Sequence, residues 1–99
     1  MAKIRAVLKH PCKKPVVMLI DNSIDAMEKQ VEGPIGHKLL GDGTAILYNH
    51  NANKFDHKRN MKFRGTVFLG NVVFVAVKEN QFASLTDDQA EALRKELLK

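Results

Sequence analysis

The sequence predicts an α+β fold: a mostly antiparallel sheet of four to six strands packed with one or two helices, including a capped C-terminal helix. Three observations predict it. Short runs of β-branched and aromatic residues recur between Pro, Gly and Asn, the pattern of strands joined by turns. Two other segments carry apolar residues at helical spacing. At 99 residues the chain has room for one core, so residues 1–99 read as a single domain, near the common size of ~100–150 residues.

The first strand is read at Lys3–Lys9, where apolar and basic residues partly alternate. The segment from His10 to Pro15 breaks it with two prolines, which lack the amide hydrogen a ladder needs. Val16–Ile20 is apolar throughout and reads as a second strand, buried on both faces and paired with the first as a hairpin. Asp21, Asn22 and Ser23 offer caps for a short helix in which Ile24, Met27 and Val31 share one face. Gly33-Pro34 should stop it, with Gly33 in the left-handed C′ position. Ile35–Leu40 and Thr44–Tyr48 flank the turn signal Gly41-Asp42-Gly43 and read as paired strands. Asn49–Asn60 is the most polar stretch and reads as a loop. Phe63–Leu69 and Val72–Val77 read as strands, and Gly70-Asn71 between them is either a two-residue hairpin turn or a bulge in one long strand. Thr86 and Gln89 form a capping box, and Leu85 with Ala90 a hydrophobic staple. In the helix that follows, Leu93 and Leu97 are expected to pack against strand residues such as Val73 and Val75. Asp87 and Asp88 in its first turn and Arg94, Lys95 and Lys99 near its end suit the helix dipole.

From about Val16 onward the chain resembles DUF3846, a family of uncharacterised proteins found mainly in phages, plasmids and integrative elements of bacteria. The resemblance is carried by Leu19-Ile20-Asp21-Asn22-Ser23, Val31-Glu32-Gly33-Pro34-Ile35, Asp42-Gly43, Lys54, Asn60 and Gly70-Asn71. Its most specific block is Phe82-Ala83-Ser84-Leu85-Thr86-Asp87-Asp88-Gln89. The resemblance implies a genomic setting and no known activity, and it favours the bulge at Gly70-Asn71.

Composition limits function. A single cysteine, Cys12, allows no internal disulfide and fits a reducing compartment. The longest apolar runs fall far short of the ~20 residues needed to span a bilayer, and no signal peptide is recognisable. The expectation is therefore a cytoplasmic protein with no membrane partner, and the family resemblance implies that the cell is a bacterial host. Four histidines with Cys12 invite a metal reading, but no spacing matches a known ligand set. No nucleophile is accompanied by an oriented base, and Gly41-x-Gly43 lacks the helix that a phosphate loop requires. No cofactor, metal or catalytic activity is expected.

The net charge of +5 points to an anionic partner, although scattered lysines also serve solubility. The feature with chemical content is the basic, amide-rich Asn49–Asn60 stretch. Asn49 and Asn60 can read polar edges, Lys54 and Arg59 can hold phosphate or acidic groups, and either Phe55 or Tyr48 can stack on a ring. The competing reading is that these asparagines make turns with their own backbone. Three function classes follow. The first is a non-enzymatic accessory or counter-defence protein of a phage or mobile element, binding a host protein or a small anionic or nucleotide ligand. The second is a nucleic-acid-binding module working through basic loops. The third is a structural or assembly protein. Two continuously apolar strands and only two short helices to cover them also predict a symmetric homodimer.

Overall fold

The computed structural model describes residues 3–51 and 59–98. Its strands are β1 (Lys3–Lys9), β2 (Val16–Asp21), β3 (Ile35–Leu39), β4 (Thr44–Asn49), β5 (Arg59–Phe63), β6 (Thr66–Leu69), β7 (Val72–Lys78) and β8 (Gln81–Ala83). The helices among the described residues are α1 (Ile24–Val31) and α2 (Asp87–Leu97). The fold is α+β, and every pairing among the described residues is antiparallel. The six-stranded main sheet runs β2-β1-β7-β4-β3 with β8 beside β7, and β5 and β6 form a separate two-stranded ribbon.

Strand alternation divides the core between the two faces of the main sheet. One face presents Ile4, Ala6, Leu8, Ala45, Leu47, Val73 and Val75 to Met27 and Val31 of α1. The other presents Val7, Ile46, Val72, Phe74 and Ala76 to Leu85, Ala90 and Leu93 and to Phe63 and Phe68 of the β5–β6 ribbon. Strand β7 lies between these layers, and its residues from Val72 to Val75 are fully buried. That is why Val72–Val77 reads as a continuous apolar run. The expected packing of Leu93 and Leu97 on Val73 and Val75 is corrected here. Those valines face α1, while α2 packs on the face of Val72 and Phe74.

The local signals hold in several places. Ser23 caps α1, its hydroxyl accepting the Ala26 amide hydrogen at 3.1 Å. In the α2 box, Thr86 Oγ1 accepts from the Gln89 amide at 3.1 Å and Gln89 Oε1 accepts from the Thr86 amide at 3.0 Å. Gly41 and Gly43, with φ of 84° and 83°, turn β3 into β4 as their signal implies.

Four expectations need correction. Val16–Ile20 is not buried on both faces: β2 is an edge strand, and Val16 to Leu19 are all exposed. Continuous apolarity in this strand marks an uncovered edge and not two-sided burial. The left-handed residue that ends α1 is Glu32, with φ of 63°, and not Gly33. Phe63–Leu69 is two strands, because Arg64 and Gly65, at φ of 47° and 87°, make a tight turn between them. Gly70-Asn71 is neither a hairpin turn nor a bulge. It carries the chain from the ribbon into the main sheet, where β7 pairs with β1, β4 and β8. A further hairpin, β7–β8, turns through Glu79 and Asn80 at φ of 54° and 63°, without the glycine that usually announces such a turn.

Candidate functional site

Of the residues singled out by sequence, Tyr48 and Asn49 lie at the end of β4 and Asn60 in β5. Asn49 closes β4 and is buried. Its Nδ2 donates to the carbonyls of Val31 and Glu32, at 3.1 Å each, and its Oδ1 accepts the Asn51 amide hydrogen at 2.8 Å. Both N–H bonds of this amide therefore satisfy carbonyls that the end of α1 leaves without helical partners. The arrangement also explains Gly33, since a Cβ there would stand 2.6 Å from Asn49 Nδ2.

Asn60, in β5, is engaged in the same way. Its Nδ2 donates to the carbonyls of Lys9 and Gly70, at 2.7 Å each, and its Oδ1 accepts from Lys9 Nζ at 3.0 Å. Lys9 is itself buried and donates a second hydrogen bond to the His10 carbonyl at 2.8 Å. Burial holds the Lys9 ammonium below its usual pKa of 10.5, with nearby Cys12 opposing the shift. Both amides thus join the ends of β1, β4, β5 and α1, and their donors are taken by main-chain carbonyls.

Lys54, like Asn53, Phe55, His57 and Lys58, lies outside the described residues. Arg59 opens β5 opposite Leu69, and its side chain is likewise outside the description.

Tyr48 is placed differently. It is half-buried, and its ring leans on Phe68 with centroids 5.6 Å apart. The far end of the ring lies over Gly36, its partner on β3. A Cβ at position 36 would come within 2.7 Å of the ring and 3.1 Å of the hydroxyl. Glycine here provides the space in which the ring lies. Tyr48, Asn49 and His50 form one wall of a cleft of about 150 Å3, and Thr66 to Leu69 of β6 form the other. Lys38, on the same face of β3 as Gly36, donates to Thr66 Oγ1 at 2.6 Å and brings a positive charge to this wall. The cleft is smaller than the ~300 Å3 at which pockets enclose drug-sized ligands. It has the dimensions for one ring or one compact anionic group.

A second depression was not expected from the sequence. Asn22, Ser23, Ile24, Met27, Asn80 and Phe82 line a cavity of about 340 Å3 at the start of α1. A neighbouring one of about 310 Å3 shares Asn80 and Phe82 and adds His37, Leu39 and Val77. His37 packs edge-on against Phe82 at 6.0 Å. Finding this groove from sequence would have required recognising the β7–β8 hairpin, whose Glu79-Asn80 turn is not a common turn pair.

Among the described residues, no three His, Cys, Asp or Glu side chains converge as a metal site would require. No described helix is long and apolar enough to cross a membrane. Residues 4–98 match the family model described as Domain of unknown function (DUF3846), and the chain belongs to that family. No curated protein and no solved structure matches it.

Proposed function

We propose that this chain is a non-enzymatic binding protein whose Tyr48 cleft receives the planar or phosphate-bearing end of a small anionic ligand, a nucleotide being the best fit. The observation that carries this reading is the setting of Tyr48: a ring over Gly36 and against Phe68, beside a cleft for one group. A half-buried ring with a fixed neighbour loses little freedom when a second ring stacks on it. Lys38 on Thr66 of the cleft wall, with a net charge of +5, favours an anion over a cation. Lys54 and Arg59 are the charges the sequence offers for the remainder of the ligand.

Asn49 and Asn60 act in this scheme by fixing the ends of β4 and β5, so that Tyr48 and β6 keep their spacing. In the phage or mobile-element setting that the family resemblance implies, sequestering a host nucleotide signal is the counter-defence role such a protein would perform.

Mass spectrometry of small molecules released from the denatured protein, after purification from its bacterial host, tests the reading. A nucleotide should be released from the wild type, and it should be lost in Tyr48→Ala and in Lys38→Glu. Release of no anionic ligand from the wild type, or equal release from all three, would overturn it.

A further inference from the structure

The two outer strands of the main sheet are built differently. The β3 edge carries Gly36, His37 and Lys38, and a charged side chain is a common guard against unwanted pairing. The β2 edge reads Val16-Val17-Met18-Leu19-Ile20, with no charge and no proline inside it. Val16 is 51% exposed and Leu19 59%, with Val17 and Met18 exposed between them. An open apolar edge of this kind is a template for another strand.

The backbone shows which groups that strand would meet. The Arg5 amide donates to Ser84 Oγ at 2.8 Å, and the Arg5 carbonyl accepts from the Leu85 amide at 3.0 Å. Arg5 therefore turns its polar backbone away from β2, and its pairing with Leu19 is the kind without mutual hydrogen bonds. By alternation, Val17 and Leu19 direct their N–H and C=O groups outward, while Val16, Met18 and Ile20 bond to β1. The outward positions on either side are closed. Pro15 has no N–H, and the Asp21 carbonyl already accepts the Ser23 amide at 2.9 Å.

We propose that a second copy of this chain pairs with β2, antiparallel, about a two-fold axis at Met18. In this register Val17 exchanges both hydrogen bonds with the partner's Leu19, and Leu19 with the partner's Val17. Neighbouring registers fail. Centring on Leu19 sets Val17 against Asp21, whose carbonyl is taken, and centring on Val17 sets Leu19 against Pro15, which has no hydrogen to give. Charge supports the same orientation. Lys13 and Lys14 precede β2, and Asp21 and Asp25 follow its apolar run. Antiparallel pairing brings the basic end of each copy to the acidic end of the other, as a closed two-fold interface requires. The exposed Val16 and Met18 then lie on the α1 side of the joined sheet, and Val17 and Leu19 on the other.

Analytical ultracentrifugation and cysteine cross-linking test the proposal. The wild type should sediment as a dimer at micromolar concentration, and Leu19→Lys as a monomer with an unchanged circular dichroism spectrum. In a Cys12→Ser background, Met18→Cys should cross-link to a dimer under mild oxidation. Residues facing each other in a pair without mutual hydrogen bonds hold their Cβ atoms about 4.5–5.5 Å apart, close enough for a strained or slightly adjusted disulfide. Leu19→Cys in the same background should cross-link far less, since its counterpart is Val17. A monomeric wild type at high micromolar concentration would overturn the proposal. So would a dimer in which Leu19→Cys cross-links better than Met18→Cys, a result that stands even if Leu19→Lys fails to fold.

Discussion

Replacing Asn49 with Ala should destabilise the protein far more than removal of an exposed loop asparagine would. Its amide makes two donations to the end of α1, and Val31, which owns one of the acceptors, is fully buried. The two lost donations and the lost acceptance from the Asn51 amide, at about 1 kcal/mol each, with the Val31 carbonyl left unpaired at about another 1–2 kcal/mol, give a loss of about 4–5 kcal/mol. Urea unfolding followed by circular dichroism measures this directly, with the slope unchanged if only the native state is affected. Asn49→Asp should be at least as damaging, since it sets a carboxylate against two carbonyl oxygens. The partner change, Gly33→Ala, gives an internal control. In the wild type its Cβ would press on Asn49 Nδ2 from 2.6 Å and weaken both donations. In the Asn49→Ala background the methyl group has room, and the same change should stabilise by about 0.4–1 kcal/mol by restricting the unfolded chain. A loss below about 0.5 kcal/mol for Asn49→Ala, the range of exposed sites, would refute the reasoning. So would a Gly33→Ala effect of the same sign and size in both backgrounds.

Thr86→Ala should cost about 1 kcal/mol of stability by removing the α2 cap; an unchanged unfolding midpoint would show that α2 starts elsewhere. Lys9 titrates below 10.5 when folded, so the unfolded chain binds more protons between the two values, and stability gained by relieving the buried charge should rise with pH across that window. Comparing wild type with Lys9→Met by urea unfolding at rising alkaline pH should show the difference shifting in favour of the wild type. Asp42 has the opposite sign. Thr44, which donates to it, is the largest influence holding it below 3.8, and Arg64 at 3.5 Å adds to this. Its stabilisation is present above 3.8 and lost as pH falls through the lowered native value, so acid unfolding of Asp42→Asn should lack that component.

Much of the fold was legible because its signals are local. Thr86 and Gln89 state a helix start within four residues, and Gly41-Asp42-Gly43 states a turn within three. What escaped was set by partners distant in sequence. Arg64-Gly65 and Glu79-Asn80 adopt left-handed turns without the Asn-Gly or Asp-Gly pairs that announce them. The apolar run of β2 has the composition of a central strand, and only the order of the sheet shows it at the edge. Among the candidate site residues, Tyr48 could be located, but the role of Gly36 beneath its ring depends on β3–β4 register. Asn49 and Asn60 have the composition of a recognition surface. Their carbonyl partners at Val31, Glu32, Lys9 and Gly70 come from other parts of the chain.

The chain contains one tyrosine and no tryptophan, so its intrinsic emission reports on the proposed cleft alone. The most direct measurement is a titration of Tyr48 fluorescence with nucleoside mono- and diphosphates, with inorganic phosphate as the ring-free comparison. The account predicts saturable quenching by a nucleotide, weakened by added salt and by Lys38→Glu, with inorganic phosphate binding less tightly. Emission that stays constant across the nucleotide series would contradict it.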